Sequence, residues 1–484
     1  MNLGDSRFYQ VLTEKEIAEI HEASMELLQE VGFSITYEPL MDLLEENGAW
    51  VDRQEGRAYL PRQLVSRCVK TAPGEFTYFG LEKGKEINLG GGNVHFGTGG
   101  KALYVLDSSQ ERRPASLRDI ADFARLSDQL DPVSYYIVPV HPHDVNVNSL
   151  EVCSFYSSLK YTGKPVMGGV FSLEGLKQAI ELSAYLSGDK EKLSRAPFVG
   201  FITSITSPLQ VDRERAEILM EVARHRLPLV TSTAPVSGAT APVTLAGTLI
   251  MQNTEALIGI VLSQVVTPGT PIFYSAVPYS MDMRTGTFLV GSIESGLMNA
   301  AITQMAQYYR IPSYLSVGAT DSKLPDAQAS YESTSNCMLA ALAGGDYIHQ
   351  AFGLLDGAMT ISYAQFVIDS DIVGSSLRAI RGIEFTPETK AVDVISKVGP
   401  GGNFLMEKHT VQHMRSQSYM PRTSVRQSYD SWFQAGKKDT PEKAREVVQQ
   451  LLEGEPTTYI PAEIDARVQE AFPEVKILEE LAAN

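Results

Sequence analysis

The chain has 484 residues, and its 41 Lys and Arg against 58 Asp and Glu give a net charge of −17. This acidic balance argues against a nucleic-acid partner, because phosphate backbones attract basic surfaces. Three widely separated cysteines predict no disulfide framework, and the first ten residues, MNLGDSRFYQ, lack the basic-then-apolar pattern of a secretory signal. We therefore expect a cytoplasmic protein.

Residues 1–93 read as an extension that precedes the main domain. Helical patterns cover about 12–31 and 38–47, and a third helix begins near Pro61. Thr13 and Glu16 form a capping-box pattern at the start of the first helix. Two short strands, Phe76–Phe79 and Glu86–Leu89, are predicted to lead into the next region.

Residues 94–380 repeat one pattern eight times, an apolar strand followed by an amphipathic helix. This alternation predicts parallel pairing through right-handed crossovers, and eight units are the number that closes a (β/α)8 TIM barrel. The expected helices lie near 116–130, 149–160, 173–187, 209–226, 243–266, 290–309, 325–343 and 361–378. The expected strands are Val94–Thr98, Ser134–Val140, Pro165–Val170, Phe198–Thr203, Pro228–Thr233, Pro271–Ala276, Ser313–Gly318 and Tyr347–Phe352.

Three further features frame this predicted barrel. A hairpin is expected from Ala102–Asp107 with a return through Arg113, followed by a second capping box at Ser116 and Asp119. The apolar stretch 243–266 is interrupted by Gln252, Asn253, Glu255 and Gln264, which favours a buried helix over a membrane span. Residues 381–484 form a C-terminal extension with helices expected near 403–417 and 441–453.

Two motifs resemble cofactor or metal sites but lack the required context. Gly97–Ala102 matches GxGxxA, yet a strand-like segment follows it, whereas a dinucleotide site needs a helix there. The pairs His141/His143 and His409/His413 have no Cys or His cluster beside them. We expect neither a nicotinamide site nor a bound metal.

The residues that follow the eight strands should line the active site, since barrels place it at the carboxyl ends of their strands. Aromatic residues are frequent there and basic ones scarce, with Lys101 and Lys323 the clear cases. Aromatic faces attract quaternary ammonium groups, so this ring favours a cationic ligand over a phosphate. The tail residues also include His95, Thr98, His141, Phe171, Ser204, Ser232, Thr233 and Ser316. The substrate-binding candidates are Phe96, Tyr274, Tyr279, Thr320, Asp321, Lys323, His349, Gln350 and Phe352.

The segment 313–332, SYLSVGATDSKLPDAQASYE, resembles the trimethylamine:corrinoid methyltransferase family. So do GPGGNFL at 399–405 with His409, Arg415 and Trp432, and the N-terminal pattern around His21 and Gly32. The resemblance spans nearly the whole chain. It implies a (β/α)8 barrel that passes a methyl group from an amine to the cobalt of a corrinoid carried by a separate protein.

One departure from that family affects the expected substrate. The archaeal trimethylamine enzymes contain pyrrolysine, whereas this chain has only the standard twenty residues. It therefore resembles the quaternary-amine branch, and glycine betaine is the favoured donor, with proline betaine and carnitine as alternatives. The trimethylammonium head is expected near Phe96, Tyr274, His349 and Phe352, and the carboxylate near His349, Gln350, Thr320 or Lys323.

This chemistry needs no acid–base dyad, because a quaternary nitrogen has no lone pair and leaves as a neutral amine. The protein supplies orientation while the partner's cobalt(I) acts as nucleophile in an in-line displacement. Two other classes stay open: a hydrolase or aldolase-type barrel, for which only Asp321 and Lys323 come close, and a non-catalytic betaine-binding module. The sequence also leaves a homo-oligomer open.

Overall fold

The computed structural model describes residues 8–107 and 109–475. The N-terminal part holds three helices, as expected, and the Thr13–Glu16 capping box opens the first. It also holds a small sheet that the sequence did not reveal, in which β1 pairs with β3 and β3 with β2. The elements are α1 (Glu14–Glu30), β1 (Phe33–Ile35), α2 (Glu38–Glu46), β2 (Trp50–Asp52), β3 (Arg57–Tyr59), α3 (Arg62–Thr71), β4 (Phe76–Tyr78) and β5 (Ile87–Leu89).

The central part contains all eight predicted strand–helix units, so the predicted alternation of strands and helices is confirmed. Its first half comprises β6 (His95–Phe96), β7 (Tyr104–Leu106), β8 (Arg112–Pro114), α4 (Leu117–Gln129), β9 (Tyr136–Ile137), α5 (Leu150–Tyr161), β10 (Val166–Gly169), α6 (Leu173–Ser187), α7 (Lys190–Arg195), β11 (Val199–Ile205), β12 (Gln210–Val211) and α8 (Arg213–Arg224). Its second half comprises β13 (Leu229–Thr233), β14 (Val236–Ser237), α9 (Leu245–Val266), β15 (Tyr274–Ala276), β16 (Tyr279–Asp282), β17 (Thr287–Leu289), α10 (Ile293–Tyr309), β18 (Ser313–Ser316), α11 (Ala327–Ala343), β19 (Tyr347–His349), β20 (Leu354–Leu355), β21 (Thr360–Ser362) and α12 (Tyr363–Ile380).

The eight repeated strands form two parallel sheets of four. One sheet has the order β13-β11-β10-β9 and the other the order β15-β18-β19-β6. Single parallel bridges, Gly97 with Tyr135 and Leu229 with Ile272, lie between the outer strands of the two sheets. Since all pairings are parallel, the carboxyl ends of the strands in each sheet lie at one edge.

Regular backbone pairing is missing between β6 and β9 because the Thr98 side chain takes its place. The Thr98 hydroxyl donates to the Ile137 carbonyl at 2.6 Å and accepts from the Ile137 N–H at 2.8 Å. A side chain therefore occupies the position of a backbone ladder pair, and regular pairing resumes only at a bridge between Ala102 and Val140. This explains why the observed strand β6 has two residues and not the five predicted.

Antiparallel hairpins lie beyond the carboxyl ends of the strands. The predicted one, β7 with β8, is confirmed, as is the capping box of Ser116 and Asp119. Two more among the described residues, β20 with β21 and β16 with β17, were not expected from the sequence, and the second is the one relevant to the site. It places Tyr279 and Phe288 above the strands, with their ring centroids 5.2 Å apart.

The last helices of the C-terminal part pack against the helices of the central part. The C-terminal part contains α13 (Pro387–Lys390), α14 (Val392–Val398), α15 (Lys408–Gln417), α16 (Tyr429–Gln434), α17 (Thr440–Leu452) and α18 (Ala462–Ala471). Helices α17 and α18 bury apolar residues such as Ala444, Val448 and Val468. Within the described residues, α9 is the one helix that is long and apolar enough to cross a membrane. Of its most apolar 18-residue segment, 72% is buried inside the protein.

Candidate active site

The strand ends surround an open space, and the strand periodicity decides which side chains face it. A Cβ on Gly168 would meet Phe155 of α5, whereas one on Gly169 would meet the side chain of Lys101. Side chains alternate between the two faces of a strand, so Gly169 faces away from the helices. The corresponding residues of the neighbouring strands are partly exposed although they lie within the sheet, namely Ile202, Ser204 and Ser232. Small inward residues at these strand ends leave room for a ligand.

A layer of stacked aromatic rings closes this space from below. Tyr135 and Tyr347 stack with their ring centroids 3.5 Å apart, and Tyr314 and Phe273 pack against Tyr347 at 5.9 and 4.9 Å. Tyr78 stacks beneath Tyr347 at 6.3 Å, and its hydroxyl donates to the Val166 carbonyl. These rings form a rigid apolar floor, because large aromatic groups in close contact have few alternative packings.

His349 lies on this floor as a neutral imidazole. Its ring stacks on Tyr314 at 4.2 Å, and Nδ1 lies 2.6 Å from the Leu315 carbonyl oxygen. The carbonyl requires a donor, so Nδ1 carries the proton and Nε2 is the acceptor. Burial lowers the pKa of His349 to about 4, because desolvation penalises the imidazolium form.

A neutral hydrogen-bonded cluster stands beside His349. Oε1 of Gln350 accepts from the Ser316 hydroxyl at 2.6 Å and from the Tyr279 hydroxyl at 3.1 Å. Gln350 adopts a left-handed backbone conformation, φ 65°, which turns its side chain out of the strand direction. Among the described residues, no group accepts a hydrogen bond from Nε2 of Gln350, so its amide donors are available to a ligand.

Three of the predicted binding residues lie on the other side of the sheet. Phe96, Tyr274 and Phe352 are fully buried. The Tyr274 hydroxyl donates to Oδ1 of Asn253 on α9 at 2.7 Å, and Phe352 packs on Phe366 of α12. The expectation that they hold a trimethylammonium group near His349 is therefore corrected. Alternation along the strand gives the reason for Tyr274, since Phe273, which precedes it, packs on the floor residue Tyr347.

Thr320, Asp321 and Lys323 are brought together, but in the loop after β18. The Thr320 hydroxyl donates to Glu332, and the Asp321 carboxylate accepts from the N–H groups of Val290 and Gly291, both at 3.1 Å. Nζ of Lys323 donates to the Asp321 carbonyl at 2.6 Å, and its side chain is 70% exposed. Asp321 and Lys323 line a surface cavity of about 640 Å³ under the β16–β17 hairpin, apart from the inward-facing strand positions.

Sequence reasoning placed Lys101 at the level of the strand ends but did not include it among the binding candidates. Its Nζ lies 3.8 Å from the ring centroid of Phe171 and donates to the Gly169 carbonyl at 2.7 Å. Burial lowers the pKa of Lys101 to about 8, while the nearby Glu151 carboxylate acts in the opposite direction. The signal that could have located Lys101 is the Gly99–Gly100 pair before it, which lets the chain cross the strand ends.

The glycine motif and the histidine pairs have the following surroundings in the structure. Strand β7 follows Gly97–Ala102, so no helix N-terminus points at these glycines. His143 Nε2 lies 3.1 Å from the Leu103 carbonyl, and His413 lies 3.2 Å from Glu388. The residues that the structure describes contain no group of three or more His, Cys, Asp or Glu placed to hold a metal.

Comparisons with known proteins agree with the family resemblance. The family model described as trimethylamine methyltransferase (MTTB) matches residues 3–476. The chain is 36% identical to a glycine betaine methyltransferase of Desulfitobacterium hafniense strain Y51, over 95% of this chain and 96% of the relative. It is 35% identical to a trimethylamine methyltransferase of Desulfitobacterium hafniense strain DCB-2 (96% and 93% covered) and 34% identical to one of Methanosarcina mazei (94% and 92% covered).

Proposed function

The chain belongs to the trimethylamine methyltransferase family, and on this premise we propose that it transfers a methyl group from a quaternary amine to a corrinoid protein. Glycine betaine is the favoured donor, and proline betaine and carnitine are the alternatives. The observation that carries the proposal is the likeness, across 95% of the chain, to a relative named glycine betaine methyltransferase. The absence of pyrrolysine supports a donor other than trimethylamine.

The proposed architecture is a closed (β/α)8 barrel over 94–380, with extensions at 1–93 and 381–484. The two four-stranded parallel sheets and the two parallel bridges between their outer strands support closure. Eight alternating units are the number that such a barrel requires. The carboxyl ends of its strands would then face the corrinoid protein, and the protein would act in the cytoplasm.

The strand-end residues around His349 suit a displacement that needs no acid or base. His349, Gln350, Ser316 and Tyr279 present neutral groups above an aromatic floor. A quaternary ammonium needs no proton transfer, and a carboxylate pair would stabilise it in the ground state and slow its reaction. The Tyr279 ring, which packs against Phe288, offers an aromatic face worth about 0.5–2 kcal/mol to such a cation.

The proposed contributions of the protein are binding and alignment. The reduced cobalt of the partner's corrinoid supplies the nucleophile. The floor of Tyr135, Tyr314 and Tyr347 limits how deep the donor can sink, so one methyl group can point out toward the partner. Holding the two reactants in line is the main catalytic effect available to such a site.

Methylation of free cob(I)alamin by a panel of quaternary amines tests the proposal, because methylation changes the absorbance of the corrinoid. We expect glycine betaine to support the change at a higher kcat/KM than trimethylamine. No change with any amine, at protein concentrations that bind glycine betaine tightly, would instead favour a non-catalytic betaine-binding module.

A further inference from the structure

We propose that Lys101 binds a carboxylate of the methyl donor. The donor is then a zwitterion, and its carboxylate lies close to its quaternary nitrogen. This inference rests on the proposed function and deepens it. It excludes choline-like and simple tetraalkylammonium donors, which carry no carboxylate. It also replaces the earlier candidates Thr320 and Lys323, which are engaged with Glu332 and Asp321.

The backbone before Lys101 brings its side chain to the inner face of the strands. Gly99 and Gly100 both have positive φ, and a Cβ on Gly99 would lie 2.8 Å from Cδ2 of His349. The loop therefore packs directly on the His349 side of the floor. From there the lysine reaches Gly169, where a Cβ would lie 3.5 Å from its Cε. Lys101 thus lies between the two sheets at the level of the open space.

The charge of Lys101 is poorly compensated within the described part of the chain. Among these residues no ion pair joins its Nζ to a carboxylate, and Glu151 acts on it only through charge attraction without a hydrogen bond. Oε1 of Glu151 already accepts a hydrogen bond from the Phe171 N–H at 2.9 Å. The ammonium has three donors, and the Gly169 carbonyl takes one of them. A carboxylate entering this space would complete the pairing, and a partly buried charge pair is stronger than an exposed one.

Arg215, a further cation near these strand ends, has its own partner. Arg215 donates to the Ser204 hydroxyl at 2.6 Å and forms an ion pair with Asp212. His349, Gln350 and Tyr279 line the same space with neutral groups. A zwitterion would therefore orient with its carboxylate toward Lys101 and its methyl groups toward Tyr279.

Binding measurements on Lys101→Met and Lys101→Arg test this inference, with Lys177→Met, an exposed lysine of α6, as the matched control. Calorimetric titrations would use glycine betaine and tetramethylammonium. We expect Lys101→Met to weaken glycine betaine binding about tenfold or more relative to tetramethylammonium binding, since one charge-assisted hydrogen bond is lost. Lys101→Arg should recover part of that selectivity.

Three outcomes would overturn the inference. The first is unchanged glycine betaine affinity in Lys101→Met while the parent protein transfers methyl groups, which would leave the proposed function standing. The second is an equal loss of both ligands, which would make Lys101 a structural residue. The third is a parent protein that methylates cob(I)alamin from no quaternary amine, in which case the proposed function fails and the inference fails with it.

We also infer, from a separate observation, that residues 381–438, here called the arm, pack against a second copy of this chain. The four helices of the arm, α13 to α16, contain no buried residue. Its large apolar side chains are exposed, and a protein surface rarely leaves so many apolar groups together in water. They are Ile383, Phe385, Val392, Ile395, Phe404, Leu405, Met406, Val411, Met414, Met420, Val425, Tyr429 and Phe433.

Charge and position favour a second copy over the corrinoid protein. The arm carries nine Lys and Arg against five Asp and Glu, whereas the chain as a whole has a net charge of −17. A positive, apolar arm therefore complements the acidic remainder of another copy. The arm begins where α12 ends, and α12 runs back from the carboxyl-end loops. The arm thus starts at the amino ends of the strands, away from the face that a corrinoid must reach.

The oligomeric state tests this second inference. Light scattering should find a dimer or larger assembly for the parent protein and a monomer for the double variant Phe385→Asp, Leu405→Asp. Val147→Asp, which changes an exposed apolar residue outside the arm, should keep the parent's mass. A monomeric parent, or a double variant that keeps the parent's mass, would overturn the inference. Loss of corrinoid-protein binding at unchanged mass would assign the arm to that partner instead.

Discussion

The Tyr279 hydroxyl lies 3.1 Å from Oε1 of Gln350, and this hydrogen bond joins the β16–β17 hairpin to the end of β19. Ser316, at the end of β18, donates to the same oxygen at 2.6 Å. Three separate strand ends are thus held together by one buried amide. The arrangement fixes the roof of the proposed donor site relative to its floor, which matters because displacement depends on alignment.

Tyr279→Phe should lower the rate of methyl transfer while leaving the fold stable. Gln350 keeps its hydrogen bond from Ser316, so we expect the free energy of unfolding to fall by no more than about 1.5 kcal/mol. The loosened hairpin should reduce kcat/KM for glycine betaine several-fold. Steady-state kinetics beside Tyr331→Phe, which changes an exposed tyrosine, checks this. Parent kinetics in Tyr279→Phe would show that the hydroxyl does not position the donor.

Tyr274→Phe should lower the stability of the fold and leave binding of the donor unchanged. Its hydroxyl is the donor to Asn253 Oδ1, and the change leaves a buried acceptor unpaired. We expect a loss of about 1–3 kcal/mol in the free energy of unfolding. Glycine betaine affinity should be unaffected, because Tyr274 faces α9. Chemical denaturation and calorimetry measure the two quantities, and weakened binding at parent stability would return Tyr274 to the donor site.

Asp369 should make stability depend on pH near neutrality. It is fully buried, and desolvation raises its pKa to about 7, well above about 3.9 for an unfolded aspartate. Between these values the folded protein holds a proton that the unfolded chain releases, so stability is lost as the pH rises from about 4 through 7. Asp346 and Glu255 act in the same direction.

Asp369→Asn removes this one contribution. The free energy of unfolding of the parent should fall more steeply between pH 5 and pH 8, as approximate working limits, than that of the variant. Denaturant titrations at both pH values give the difference of slopes, in which the contributions of the other buried carboxyls cancel. Equal slopes would mean that Asp369 is ionised in the folded protein across this range.

The contact between Lys160 and Asp465 should anchor the C-terminal helix α18. Their charged atoms lie 2.7 Å apart, both side chains are largely buried, and the Tyr156 hydroxyl donates to the same carboxylate. Asp465→Ala leaves the lysine without its partner, and removing one member of such a pair costs about 3–5 kcal/mol. Thermal unfolding measures this. Arg195→Ala, which breaks an exposed pair with Glu191, should change stability by under about 1 kcal/mol.

Local sequence signals predicted the order of elements well. The Thr13–Glu16 and Ser116–Asp119 patterns are both capping boxes in the structure, because their hydrogen bonds join residues only three apart. The eight strand–helix units follow from hydrophobic periodicity in the same way. The β1–β3 sheet was not predicted, since three-residue strands such as Phe33–Ile35 are too short to show a period.

The orientation of single residues at strand ends could not be predicted. Tyr274 was expected to face the ligand, but strand side chains alternate, and a shift of one residue reverses the face. Nothing local distinguishes Tyr274, which packs on α9, from Phe273, which faces the floor. Lys101 and Gln350 both have left-handed backbone conformations; the Gly99–Gly100 pair is a local signal for the first, whereas the position of Gln350 depends on tertiary packing.

The most direct test of the central claim follows the methyl group itself. Glycine betaine labelled with carbon-13 in its methyl groups would be incubated with the protein and cob(I)alamin, and the products identified by nuclear magnetic resonance. We predict that labelled methylcobalamin and dimethylglycine form in equal amounts and only when the protein is present. Bound but unreacted glycine betaine, or the same slow reaction with and without protein, would contradict the claim that this chain is a quaternary-amine methyltransferase.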